Sequence, residues 1–176
     1  LALYAEPDGT LWIGTDGGGL ARLRGQQLDH VDAGNGFFDD IVFSIVDDGR
    51  DALWLASNRG VYRMPKRAFD AMAAGQAPYP AGQAFGTADG MRSAECNGGY
   101  QPAATRGADG RIWFPTVKGI VVTDPSRDSA GGVPPQVLIE RIEAGHQVQP
   151  PAATSKLPAG VRDLEIGYVG ISLKAP

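Results

Sequence analysis

One pattern recurs three times in the chain, and each copy carries one of its three tryptophans. The copies read LWIGTDGGGLARL from Leu11, LWLASNRGVYRM from Leu53 and IWFPTVKGIVVT from Ile112. Each is an apolar run with Trp at its second position, a short polar turn ending in Gly, and a second apolar run. A tight turn precedes each copy, at Asp8-Gly9, Asp48-Gly49 and Asp109-Gly110. Self-similarity of this kind constrains architecture before any local reading, because one such unit cannot bury its apolar face alone and must stack on the next.

Trp12 and Trp54 lie 42 residues apart, within the ~40–45 residues of a four-stranded propeller blade. Trp54 and Trp113 lie 59 apart, and an insertion from Pro65 to about Pro80 accounts for the excess. Within it, residues 66–74 are rich in helix formers, with Phe69 and Met72 three apart and Gly75 as a stop. The expected fold is therefore all-β apart from this helix. Strands at 1–5, 11–15, 19–23 and 27–32 make the first blade. Strands at 41–46, 53–57, 60–64 and 82–85 make the second. The run 41–46 is almost continuously apolar, as a strand packed on both faces should be. A weak inner strand at 101–105 precedes the third copy, and no convincing outer strand follows it. Three blades do not close a ring, which takes ~4–8. The tryptophans, at one position in every copy, are expected to pack between blades. Phe37 and Phe38 read as exposed loop aromatics, and 86–100 as a long loop of the kind that often carries function.

From 126 to 135 the chain becomes a Ser/Gly/Pro linker, with a boundary at Pro134-Pro135. The expected domains are propeller blades over 1–133 and the first part of a second β domain over 134–176, with strands at 137–142 and 161–168. A start at Leu1 inside a strand-like run reads as an excerpt of a longer protein.

Several kinds of chemistry are not expected. The net charge is −4, and no Lys/Arg cluster exists to neutralise phosphates, so no nucleic-acid partner is expected. Cys96 is the single cysteine, which leaves no intrachain disulfide or cysteine metal cluster. His30 and His146 fall in different domains without ligand spacing, so no metal site is expected. Asp39-Asp40 and Asp47-Asp48-Gly49 read as turn chemistry rather than a catalytic pair. Gly17-Gly18-Gly19 lacks the spacing and the following helix of a phosphate loop. No catalytic residue and no cofactor is expected.

The first two cassettes resemble the two-component regulator propeller (Reg_prop) repeat. The tail, from PPQVLIERIEAG to the C-terminus, resembles the opening of the three-Y (Y_Y_Y) domain that follows such propellers, an immunoglobulin-like β-sandwich, with Tyr168 as the one matching Tyr. The resemblance implies the periplasmic sensor region of an inner-membrane two-component or hybrid histidine kinase, or of a related diguanylate cyclase. It implies a region that binds a signal without turning it over, and a homodimer in the full-length receptor. Two other readings stay open: a propeller enzyme of the streptogramin-lyase kind, and a structural protein-interaction propeller.

Strand alternation within a blade gathers the turns between second and third strands at one end, with the connections between blades. That end holds Asn58, Arg59, Arg92, Glu95, Asn97, Tyr100 and Lys118. Their charge-assisted donors, amides and phenol suit a polar small molecule, carbohydrate-like or acidic, or a protein ligand. The competing expectation is that Arg92 and Glu95 pair locally and only pin the loop.

Overall fold

Short apolar runs separated by glycine turns fold each repeat into an antiparallel meander. A computed structural model describes residues 2–76, 82–127, 136–144, 147–149 and 163–171. Contacts divide the chain into two units, 1–129 and 130–176. His146, the Pro134-Pro135 boundary and the 150–160 loop lie outside the described residues.

In the first unit, β1 (Ala2–Ala5), β2 (Leu11–Gly14), β3 (Leu20–Arg24) and β4 (Gln27–Val31) form one sheet in chain order. A second sheet holds β5 (Ser44–Asp47), β6 (Ala52–Ser57), β7 (Gly60–Pro65) and β8 (Gln83–Phe85), again in order. The helix α1 (Lys66–Ala73) leaves β7 directly. A third sheet has only β9 (Thr105–Arg106), β10 (Ile112–Thr116) and β11 (Gly119–Thr123). All pairings are antiparallel, and none of the sheets closes on itself. The pattern is two complete four-stranded meanders and a third without an outer strand among the described residues. No helix among the described residues is long and apolar enough to cross a membrane.

One core cluster, Trp12, Leu20 and Val31 with Leu55, Tyr62, Phe69 and Met72, joins residues of the first and second sheets. Another, Trp54, Val46 and Val61 with Ile112 and Phe114, joins the second and third. Trp12 and Trp54 are fully buried, as their shared position predicts, whereas Trp113 is 36% exposed under the Arg111 guanidinium. The helix forms where its sequence predicts, and Phe69 and Met72 are its buried residues. Phe69 meets the Trp12 ring edge-on at 5.0 Å, so α1 closes the gap between the first two sheets.

Two expectations need correcting. The apolar run 41–46 is not one strand: β5 starts only at Ser44, and Ile41 makes an isolated bridge to Asp16. The reason is a competing use of the backbone. Val42 N donates to Thr15 O, and Asp40 O accepts from Gly17 N and Gly19 N, so this stretch is bonded to the first sheet before it joins the second. Phe37 and Phe38 are not exposed ligand aromatics. Phe37 is buried edge-on against Tyr62, and Phe38 stacks on the same ring at 4.9 Å.

The second unit contains β12 (Gln136–Ala144), β13 (Gln147–Gln149) and β14 (Leu164–Ile171), with β12 between the other two. The β12–β14 register shifts between Ile139 and Arg141, a bulge, and Tyr168 pairs with Ile139 beside it.

Candidate functional site

The ends of the first unit differ in chemistry. At one end the turns between first and second strands meet α1. Asp47 accepts from Tyr4 Oη and from Lys66 Nζ, both at 2.7 Å, and Lys66 also pairs with Glu6 at 3.2 Å. Glu6 in turn accepts the Trp12 indole N–H. Burial works against the Asp47 charge, yet bonds from Lys66, Tyr4 and Gly49 N hold its carboxyl below the usual range. Burial likewise opposes the Lys66 ammonium, but Asp47 and Glu6 hold its pKa up. Burial, then the neighbouring Asp47 carboxylate, pushes the Tyr4 phenol far up. Every member is satisfied inside the protein, so this network ties the helix to two sheets rather than offering groups to a ligand.

At the other end, the connections between sheets are bonded to the turns of the sheets on either side. Cys96 N donates to Ser57 O in the second sheet, and Cys96 bridges Thr116 in the third. Asn97 N donates to Pro115 O, and Val117 N to Glu95 O. Both connections begin alike. A 3-10 turn at Ala33–Asn35 or Thr87–Asp89 is closed by its own Asn35 or Asp89 side chain, which accepts from the backbone N–H of residue 32 or 86. A left-handed Gly36 or Gly90 follows, and then a buried anchor, Phe37 or Met91. The shared pattern Asx-Gly-apolar was present in the sequence and is the signal by which Phe37 could have been recognised as core.

These bonds position the candidate residues. Asn58 and Arg59 form the β6–β7 turn, and Lys118 the β10–β11 turn. Arg59 is occupied: its guanidinium donates to Phe38 O at 2.9 Å and lies over the Phe38 ring. Asn97 and Glu95 are exposed with their backbones committed to the third sheet, and Tyr100 is 89% exposed. Arg92 and Glu95 form no ion pair with each other. Arg92 instead shares a cleft of about 300 Å³ with Lys118, walled by Asp89, Met91, Thr116 and Ile120. Cys96 is buried, and desolvation pushes its thiol up to about 11, which disfavours the thiolate near neutral pH. Among the described residues no three His, Cys, Asp or Glu side chains are grouped to hold a metal ion.

No protein-family profile matches the chain, and no curated protein matches it in sequence. Solved structures do match in fold. The extracellular domain of the proposed one component system BT4673 from B. thetaiotaomicron superposes on 88% of this chain with a TM-score of 0.53 and 16% identity. A further structure, described as the extracellular domain of the proposed hybrid two component system BT4673, covers 89% with a TM-score of 0.45 and 14% identity. The extracellular domain of the proposed hybrid two component system BT3049 covers 98% with a TM-score of 0.43 and 18% identity. The chain spans 24%, 18% and 26% of these chains, respectively. At 16% identity the likeness to the first of these is one of fold alone.

Proposed function

We propose that this region is the extracytoplasmic, ligand-sensing part of a membrane-bound two-component or hybrid receptor. The first unit binds the signal as part of a propeller of regulator-propeller repeats, and the second, as the start of a three-Y domain, passes the change toward the membrane. The observation that carries this reading is the repeated meander itself, which shares its fold with the extracellular domain of a proposed one component signalling system. The chemistry of the first unit is consistent with binding rather than turnover. The ionic network around Asp47 is internally satisfied, and burial holds the Cys96 thiol protonated. Periplasmic location, a homodimeric receptor and the absence of catalysis belong to the same proposal.

The test is the full-length protein in a reporter strain. Deleting the region 2–127 should uncouple output from inducer while leaving membrane insertion intact. A reading frame without a membrane helix and a kinase or cyclase module would sink the proposal. So would a purified full chain that turns over a glycan or lactone and loses that activity on one substitution.

A further inference from the structure

The gaps between successive sheets are filled differently. Between the first two, Phe69 packs edge-on against Trp12, and the Trp12 N–H donates to Glu6. Between the second and third no helix intervenes among the described residues. Trp54 stacks on Phe85 at 5.5 Å, is fully buried, and its Nε1–H has no acceptor. Buried donors are nearly always paired, so such a group asks for an explanation. Trp54, Phe85 and Phe114 line a cavity of about 140 Å³. That cavity shares Asp89, Met91, Val121 and Val122 with the cleft that holds Arg92 and Lys118. The two spaces adjoin, one apolar and one cationic.

The lining decides what chemistry fits. Neither Arg92 nor Lys118 has a side-chain partner among the described residues. The Asp89 carboxylate is engaged by Gly86 N at 2.9 Å, so two cations outnumber one occupied acid. The remaining walls are aliphatic and aromatic. The hydroxyls are Thr116, which already donates to Gly119 O, and Thr123 in the inner cavity. A neutral sugar needs several amides or hydroxyls and finds no side-chain amide and at most one uncommitted hydroxyl here. A carboxylate finds two charge-assisted donors, and an apolar body finds apolar walls.

We propose that this cleft binds a small carboxylate with a hydrophobic body. The carboxylate lies between Arg92 and Lys118, and the body reaches past Met91 and Val121 toward Phe114 and Phe85. An acceptor oxygen on that body takes the Trp54 N–H once the cavity walls part, since the donor has no accessible surface of its own. This rests on the sensory reading above and specifies its ligand.

The experiment uses the full chain, nitrogen-15 labelled, with benzoylbutyrate as probe. The chain has three tryptophans, so its indole N–H resonances are assignable by Trp12→Phe and Trp113→Phe. Benzoylbutyrate should shift the Trp54 indole resonance and leave that of Trp12 in place. The neutral benzoylbutyramide, and benzoylbutyrate against Arg92→Gln or Lys118→Gln, should each bind about tenfold more weakly. Phenylvalerate, which lacks the ketone, should bind more weakly than benzoylbutyrate. The two substitutions lie on exposed side chains and leave folding intact. Equal binding of the amide, unchanged affinity in both variants, or an unmoved Trp54 resonance overturns the proposal. So does glucose giving the same Trp54 shift. If benzoylbutyrate fails to bind while the full-length receptor still answers another inducer, the carboxylate cleft is wrong and the sensory reading stands.

Discussion

Phe69→Ala tests whether α1 holds the first two sheets together. Phe69 is fully buried, edge-on to Trp12 at 5.0 Å, with the Arg22 guanidinium 4.6 Å above its ring. Truncation removes a burial worth about 1.5–3 kcal/mol and leaves a cavity, for a total of about 3–5 kcal/mol. Losing the aromatic pair with Trp12 is part of that loss, about 0.5–1.5 kcal/mol. The Arg22 head is also uncovered, although Asp29 and Asp70 still hold it at 3.2 and 2.7 Å. We expect a net cost of about 4 kcal/mol, which lowers Tm by about 10–20 °C for a unit of this size. Urea unfolding followed by tryptophan fluorescence measures it, since Trp12 reports on the lost contact. Arg67→Ala on the same helix is the control. Its side chain is 82% exposed and pairs with Asp51, so its cost should stay within about 0.5 kcal/mol. If Phe69→Ala costs less than about 1 kcal/mol, α1 is an ornament on the rim and the gap between the sheets closes without it.

The Asp47 network gives a pH prediction. Because the Asp47 carboxyl titrates below its usual 3.8, its contribution is complete above that value and is lost as pH falls through the depressed one. Lys66 is raised above 10.5, so its share is complete below that value and is lost as pH rises through the raised one. Urea midpoints against pH should show both limbs, and Asp47→Asn should flatten the acid one. Gly19 immediately precedes β3, and Gly60 and Gly119 open β7 and β11, all at positive φ. A Cβ at Gly19 or Gly60 would lie 2.1 Å from the Val31 or Phe85 carbonyl of the outer strand, whereas at Gly119 it meets nothing. Gly119→Ala should therefore cost only the backbone strain, about 1–2 kcal/mol, and Gly19→Ala or Gly60→Ala about 1–3 kcal/mol more. Equal costs at all three positions would mean that an outer strand covers β11. The Cys96 thiol should react with a disulfide reagent only as fast as the unit unfolds, and prompt labelling at pH 7 would contradict its burial.

What could be read from the sequence follows from the range over which each feature is decided. The strands around Trp12 and Trp54 were legible because alternation, Asp-Gly turns and the repeat all act within about ten residues. The helix was legible too, since Phe69 and Met72 lie on one helical face. The start of β5 was not, because a nearly continuous apolar run does not say which sheet its backbone joins first. That is settled by Asp40 and Val42 finding partners in the Thr15–Gly19 turn. The burial of Phe37 is hidden from the sequence for a related reason: it is supplied by Tyr62, a residue of the next sheet. Only comparison of Asn35-Gly36-Phe37 with Asp89-Gly90-Met91 carries that information in one dimension. The cleft lay beyond reach altogether. Arg92 and Lys118 come from different connections of the chain, and the space between them is walled by β11, which has no strand outside it among the described residues. A periodic sequence announces what each repeat shares. Among the described residues the candidate site sits beside the repeat that shows no outer strand, and there the Trp54 donor without an acceptor and the Arg92 and Lys118 side chains without partners mark the departure from the pattern.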